Sequence, residues 1–187
     1  MRLIPIFPRN TPAIYSVHYP DQREDEMSRL FDEWSDIEYL ESFFEQNKAD
    51  LCGGYIGCPT VDEAVHRIID DAVRLEKRLY DLAKKGQQDH NNTLQTLFSP
   101  LNNEIRLAEQ QKSKAKIIAF KRSSWLRLYA IRIASNLYVI TGGAIKLTHR
   151  MEERDHTQIE LFKLDKKKTY LQENGLYSET DFQILET

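Results

Sequence analysis

The segment from Ser124 to Met151, SWLRLYAIRIASNLYVITGGAIKLTHRM, constrains the fold of this chain more than any other. Its Ile, Val, Leu, Tyr and Trp residues follow the alternation that is typical of β-strands. The short polar interruption ASN, at 134–136, predicts a hairpin turn. The glycine pair at 142–143 offers a second register, because glycine permits the positive φ that a tight turn needs. Both registers predict an antiparallel meander, to which AKIIAF at 115–120 adds a third strand.

Helical spacing of apolar residues dominates the chain before this meander. AIYSVHY, at 13–19, alternates and predicts a first strand. Two helices are predicted after it, because apolar residues then recur three and four positions apart. Their apolar positions are Met27, Leu30, Phe31, Trp34 and Ile37 in the first helix and Leu40, Phe43 and Phe44 in the second.

Two further helices have recognisable ends. Thr60, followed three positions later by Glu63, predicts a capping box, and the apolar pattern that begins there continues to Gly86. A last helix is predicted from about Glu153 to Glu173, with a glycine at 175 as its C′ residue. The order is one strand, several helices, a meander and a last helix, which indicates a single α+β domain over 1–187.

The charges of the chain are segregated along its length. Between Lys112 and Lys168 there are 14 Lys and Arg against 5 Asp and Glu. Residues 1–111 carry 12 against 20, and residues 169–187 carry 0 against 4. This split predicts that the basic part meets a polyanion, with one alternative, that the basic and acidic segments pair within one fold.

Membrane, redox and cofactor signals are few. With no run of 18 apolar residues and a proline-broken N-terminus, the sequence predicts a cytoplasmic protein that does not contact a membrane. Cys52 and Cys58 could close a small loop, but a lone pair without an export signal predicts free thiols. His66 alone lies near them, so no metal site is expected. VITGGAIK lacks the spacing of a nucleotide-binding motif, and no cofactor is expected.

Basic and aromatic residues of the meander are the candidates for chemistry on RNA. Arg127 and Tyr129 share one strand face, where a guanidinium beside a phenol suits a phosphate and a base. Lys146, His149 and Arg150 follow the glycine pair closely. RNA cleavage through the 2′-hydroxyl needs a base, an acid and a positive charge, which His, Tyr, Lys and Arg can supply. The alternative is that Tyr129 packs in the core and the basic residues form a solvated edge.

The same residues carry a resemblance to a known family. The segment SWLRLYAIRIASNLYVITGGAIKLTHRMEERDHTQIELFKLDKK resembles the carboxy-terminal half of the RelE/ParE toxin superfamily, closest to its phage-derived HigB-like branch. LYAIRI matches a first strand of that family, LYVITGG a second, AIKLT a third and HTQIELFKLDKK the last helix. This register turns at 134–136 and leaves the glycine pair at a strand end. The implied fold is a curved antiparallel sheet flanked by helices, with sheet and last helix at about 114–175 and an enlarged helical insertion at about 37–111.

The resemblance implies a toxin that cleaves mRNA at the ribosome and is neutralised by a helix-turn-helix antitoxin. Arg132 and Lys146 match basic positions of the family. Thr141 stands where the HigB-like pattern often carries histidine, which leaves open whether cleavage is retained. The alternative is a non-catalytic regulatory or binding protein on the same fold, or a phage-derived protein of another role. The full candidate set is Tyr129, His149, Arg132 and Lys146 for catalysis and Arg127, Arg150, Lys121 and Arg122 for RNA binding.

Overall fold

A computed structural model describes residues 1–8, 13–53, 57–101, 110–115, 118–119, 122–148 and 154–185. Its strands are β1 (Arg2–Phe7), β2 (Ile14–His18), β3 (Phe98–Pro100), β4 (Gln111–Ala115), β5 (Ile118–Ala119), β6 (Arg122–Ser123), β7 (Leu126–Ala134) and β8 (Leu137–Ile145). Its helices are α1 (Glu26–Glu33), α2 (Ile37–Gln46), α3 (Lys48–Leu51), α4 (Val61–Lys85), α5 (Asp155–Glu173) and α6 (Glu179–Ile184), with a 3₁₀ turn at Leu94–Thr96.

Six of the described strands form one mixed sheet in the order β1-β2-β8-β7-β4-β3. Strands β7 and β8 are the predicted hairpin, which turns at Ser135 and Asn136, between the paired residues Ala134 and Leu137. The strand that pairs with β7 on its other side is β4, which ends at the first residue of the strand predicted at 115–120. The prediction that this third strand joins the meander was wrong, because Ile118 and Ala119 form β5 and pair with β6 in a separate two-stranded sheet. Strand β2 lies parallel to β8, so the first predicted strand joins the sheet beside the last one. The α+β class is therefore confirmed, and the sheet is antiparallel except at this pair.

Both faces of the sheet are covered by helices. Side chains of α1, α2 and α4 pack on one face with Leu128 and Ile140, and side chains of α5 and α6 pack on the other with Ile131 and Val139. This two-sided packing explains why β8 is buried along its whole length and β7 nearly so. Strands covered on both faces are apolar at almost every position rather than at every second one.

The glycine pair lies inside β8 and not at a strand end. Gly142 pairs with Tyr129 and Gly143 with Leu128, and the strand continues to Ile145. Thr141 is the extra residue of a β-bulge, because Tyr129 pairs with Gly142 whereas Ala130 pairs with Ile140. The prediction of a strand end at the glycines was wrong. So was the prediction of a separate strand in AIKLT, since its first two residues complete β8.

The predicted helix ends are confirmed at both long helices. Thr60 and Glu63 form a capping box at the start of α4. Gly175 follows α5 with a φ of 71°. The N–H of Leu176 donates to the carbonyl of Leu171 (2.9 Å), which closes a Schellman motif. In contrast, Ile37 is 56% exposed, because α1 ends at Glu33 and a new helix begins after Asp36.

Replacing Thr60 with alanine is expected to lower the free energy of unfolding by about 1 kcal/mol. The hydroxyl of Thr60 accepts from the N–H of Glu63 (3.2 Å), and the Glu63 carboxylate accepts from the N–H of Thr60 (2.8 Å). Both partners are exposed, so water compensates part of the loss. Urea denaturation checks the value, with Thr60→Ser as the control that keeps the cap; equal losses in both variants would contradict it.

Cys52 and Cys58 form a disulfide, so the prediction of free thiols was wrong. Helix α3 ends at Leu51 and α4 begins at Val61, and the connection between them brings the two Cα atoms to 4.0 Å. Among the described residues, none of the helices combines the length and apolarity needed to cross a membrane.

Candidate functional site

The structure separates the predicted site residues of the meander. Arg127 and Tyr129 lie on the α5 side of the sheet, and Arg132 lies on the opposite side, where its Nη2 donates to Gln95 Oε1 at 3.2 Å. Tyr129 has no exposed surface. Arg127 is 8% exposed, and its Nη1 donates to the carbonyl oxygens of Ser124 (2.6 Å) and Leu126 (2.7 Å). The phenol of Tyr129 packs in the core and offers no surface to an RNA, which argues against a catalytic role for it.

The other predicted residues are only partly covered by the structure. Lys146 follows β8, is half-buried, and its N–H donates to the carbonyl of Trp125 at 2.9 Å. Lys121, His149 and Arg150 lie outside the described residues. For Arg122, only the backbone in β6 is described.

Gly142 and Gly143 bring two helices close to opposite faces of β8. A Cβ atom at Gly142 would overlap Oε2 of Glu160, from α5. A Cβ atom at Gly143 would lie 2.9 Å from the carbonyl oxygen of Arg127 and also 2.9 Å from side-chain atoms of Leu30 and Trp34. The pair therefore allows the close approach of α5 on one face and of α1 on the other.

Opposite Gly142, side chains from α1 and α5 form a charged cluster, defined here as Glu26, Arg29, Glu160, Lys163 and Tyr19. Lys163 Nζ lies 2.7 Å from Glu160 Oε1 and 3.2 Å from Glu26 Oε1. Arg29 donates to both oxygens of Glu26, from Nη2 (2.7 Å) and from Nε (3.2 Å). The hydroxyl of Tyr19 donates to the carbonyl of Thr141 at 2.9 Å. The cluster thereby joins α1, α5 and the bulge of β8.

The two carboxyl groups of the cluster have pKa values displaced in opposite directions. Burial raises the pKa of Glu26, but the hydrogen bond from Arg29 and the charge of Lys163 together outweigh burial and hold the pKa below its usual value. Burial raises the pKa of Glu160, and Lys163 offsets this only in part, while the charge of Glu26 adds to it. Oε2 of Glu160 has no hydrogen-bond partner among the described residues. Glu160 is therefore easier to protonate than Glu26.

Beside the charged cluster lies a lysine–aromatic face, which α5 forms together with Tyr19, the residue after β2. It is defined here as Phe162, Lys163, Lys166, Lys167 and Tyr19. Phe162 is 59% exposed, and Lys166 Nζ lies 4.3 Å from the centre of its ring. Lys167 Nζ lies 4.6 Å from the ring centre of Tyr19, and Lys163 Nζ lies 5.5 Å from it. Burial, together with the like charges of Lys166 and Lys163, lowers the pKa of Lys167. Positive charge is thus concentrated here next to aromatic rings.

Sequence reasoning missed the residues of the charged cluster. The spacing of Glu26, Arg29, Glu160 and Lys163 is that of ordinary helix surface positions, and nothing in it distinguishes buried charges from solvated ones. The available signal was the glycine pair, because glycine inside a strand often marks the close approach of another element. It indicates that something packs closely on the strand, but not that a carboxyl group does so.

Within the described part of the chain, no group of three or more His, Cys, Asp and Glu side chains is placed to hold a metal ion. No family model matches the sequence, and searches of curated proteins and of solved structures return no match. A proposal of function therefore depends on the sequence pattern and on the geometry described above.

Proposed function

We propose that this chain is the toxin of a toxin-antitoxin pair, of the RelE/HigB-like type, and that it acts on mRNA at the ribosome. The sequence resemblance supplies the class of activity. The observation that carries the proposal is the lysine–aromatic face of α5, because it gives RNA a surface of matching chemistry. The partner in this proposal is a helix-turn-helix antitoxin.

The lysine–aromatic face has the two features that single-stranded RNA needs. Bases stack on exposed aromatic rings, and ammonium groups neutralise the phosphates between them. Phe162 offers its ring to solvent, and Lys166 and Lys167 stand one helical turn further along α5. The acidic residue within this stretch, Asp165, is paired with Lys112 of β4 at 2.6 Å. That pairing reduces the repulsion that its carboxylate would exert on a phosphate.

The order of the elements gives the proposal further support. Two strands, four helices, the strands β3 to β8 and two last helices follow one another, and the resemblance implies a sheet flanked by helices in the same way. The matched segment runs from β7 through β8 into α5, and HTQIELFKLDKK lies within α5. In this proposal the α5 face binds RNA, and Lys146 and His149 keep the catalytic roles predicted from the sequence.

Exchanging Lys166 and Lys167 for glutamate is expected to weaken the binding of single-stranded RNA by about 10- to 100-fold, because two phosphate contacts become repulsive. The same variant should fail to arrest growth when its expression is induced in a bacterial host. Binding is measured by fluorescence anisotropy, and mRNA integrity by primer extension on RNA from the induced cells. The matched control is Lys77→Glu with Lys84→Glu, which changes the net charge equally on exposed positions of α4.

The outcomes separate the proposal from its alternatives. RNA binding by the Lys166 and Lys167 variant at the strength of the unchanged protein would remove the α5 face from the proposal.

The burial of Tyr129 favours one second candidate, a non-catalytic protein that binds RNA on the same fold. That candidate predicts RNA binding with intact mRNA and normal growth on induction, a combination that would refute the toxin.

A further inference from the structure

We infer that Glu160 is a positioning residue for Lys163, and that its protonation state sets how much positive charge the lysine–aromatic face offers to RNA. This inference rests on the proposed function, because it concerns the regulation of the same RNA-binding face. Lys163 belongs both to that face and to the charged cluster. It is therefore the point at which the buried carboxyl groups can act on bound RNA.

The geometry fixes Lys163 between two carboxyl groups. Its ammonium lies 2.7 Å from Glu160 and 3.2 Å from Glu26, and the side chain is 24% exposed. When both carboxyl groups are ionised, two negative charges share this one ammonium. When Glu160 is protonated, one of them disappears, and more of the positive charge of Lys163 acts on a phosphate at the surface.

The surroundings of Glu160 allow its protonated form. The residue is 6% exposed, and Oε2 lies against the backbone of Gly142 with no hydrogen-bond donor among the described residues. An ionised carboxylate is costly in such a place, because the oxygen is buried away from bulk solvent and no donor of the described residues faces it. Burial accordingly raises the pKa of Glu160.

The other titratable groups around Glu160 keep their charge states near neutral pH. From α1, Glu26 stays ionised because its pKa is lowered. Burial lowers the pKa of Arg29, but Glu26 and Glu33 together outweigh burial and raise it, so Arg29 stays charged. From α2, burial raises the pKa of Tyr39 to about 12, and burial also raises the pKa of Tyr19, which follows β2. Burial lowers the pKa of Lys163, but Glu160 and Glu26 together outweigh burial and raise it, so Lys163 stays charged. Strand β8 contributes Gly142, which has no titratable group. Glu160 is thus the member of this set that changes charge.

The inference is tested with the full chain and a fluorescein-labelled single-stranded RNA of about 20 nucleotides. Affinity is measured by anisotropy from about pH 5 to about pH 8. The four proteins are the unchanged chain, Glu160→Gln, Lys163→Gln and the double variant. The comparison between variants, and not the absolute profile, carries the result.

In the unchanged chain, affinity is expected to fall with rising pH by about two- to fivefold more than in Glu160→Gln, which keeps the carboxyl neutral. In the Lys163→Gln background, the exchange of Glu160 for Gln should have no further effect, because Glu160 acts through Lys163. A purely structural role of Glu160 would not produce this dependence on Lys163.

Two results would overturn the inference alone: an equal pH dependence of affinity with and without Glu160, or an effect of Glu160→Gln that persists in the Lys163→Gln background. If Glu160→Gln does not fold, the profiles of the unchanged chain and of Lys163→Gln decide, and identical slopes overturn the inference. A failure of the unchanged chain to bind RNA at any pH would reject the proposed function, and the inference with it. Loss of binding in the Lys166 and Lys167 variant without any effect of Glu160 keeps the function and rejects the inference.

Discussion

Gly143→Ala is expected to lower the free energy of unfolding by about 2–4 kcal/mol, which is a large loss for the addition of one methyl group. The new Cβ would lie 2.9 Å from the carbonyl oxygen of Arg127 and from side-chain atoms of Leu30 and Trp34. The carbonyl belongs to the paired strand β7 and cannot turn away. Leu30 and Trp34 are each 2% exposed and lie in the core, so relief requires α1 to move away from the sheet.

Urea denaturation followed by tryptophan fluorescence measures this loss, and Trp34 itself reports on the contact. Gly53→Ala is the matched control, since a Cβ there meets backbone atoms no closer than 3.3 Å on an exposed surface. The control is expected to change stability by less than about 1 kcal/mol. A Gly143→Ala protein as stable as this control would mean that α1 lies further from β8 than described.

The parts of the fold that the sequence predicts are those governed by local chemistry. Alternation along 126–133 and the polar residues at 135 and 136 predict the hairpin, and the capping box at Thr60 predicts the start of α4. These signals depend on neighbours within a few residues, where strand alternation and capping hydrogen bonds are decided. The hairpin therefore turns at Ser135 and Asn136, within the polar interruption, and not at the glycine pair, which was the second register.

The parts that the sequence does not predict depend on contacts between distant segments. The parallel pairing of β2 with β8 joins residues more than a hundred positions apart, for example Ile14 and Tyr138. The disulfide depends on the approach of Cys52, which follows α3, to Cys58, which precedes α4. The burial of Tyr129 follows from the docking of α5 over that face of the sheet, and no pattern within β7 states whether a helix covers it.

The candidate site, too, combines a feature that the local sequence predicts with a feature that depends on contacts between distant segments. The excess of basic residues between Lys112 and Lys168 predicts a surface for a polyanion, and the lysines of the α5 face belong to that stretch. The charged cluster requires the side chains of α1 to meet those of α5 across a glycine of β8. Helix α1 lies far from β8 and α5 in the chain, so neither spacing nor composition within any one of these elements identifies Glu26 as buried and Glu160 as easily protonated.

Substituting glutamine for the two buried glutamates is expected to have unequal effects at neutral pH. Glu26→Gln should lower the free energy of unfolding by about 2–4 kcal/mol, because it removes the fully buried carboxylate that the half-buried cations Arg29 and Lys163 share. Arg29 then keeps only Glu33, and Lys163 keeps only Glu160. Glu160→Gln should change it by less than about 1 kcal/mol, because burial disfavours the ionised carboxyl at this position and glutamine carries no charge there.

The pH dependence of stability distinguishes the two glutamates further. The folded-state pKa of Glu26 is lowered, so its contribution is present above the unfolded pKa and is lost as pH falls through the folded value. The folded-state pKa of Glu160 is raised, so its contribution is present below the unfolded pKa and is lost as pH rises through the folded value.

The stability of Glu160→Gln relative to the unchanged chain should therefore improve as the pH is raised from the acidic range. The deficit in stability of Glu26→Gln should shrink as the solution is acidified. Urea denaturation of the three proteins across the pH range measures both trends. Equal losses at the two positions, with parallel pH profiles, would mean that the two carboxyl groups occupy equivalent environments, contrary to the unpaired Oε2 of Glu160 and the doubly paired carboxylate of Glu26.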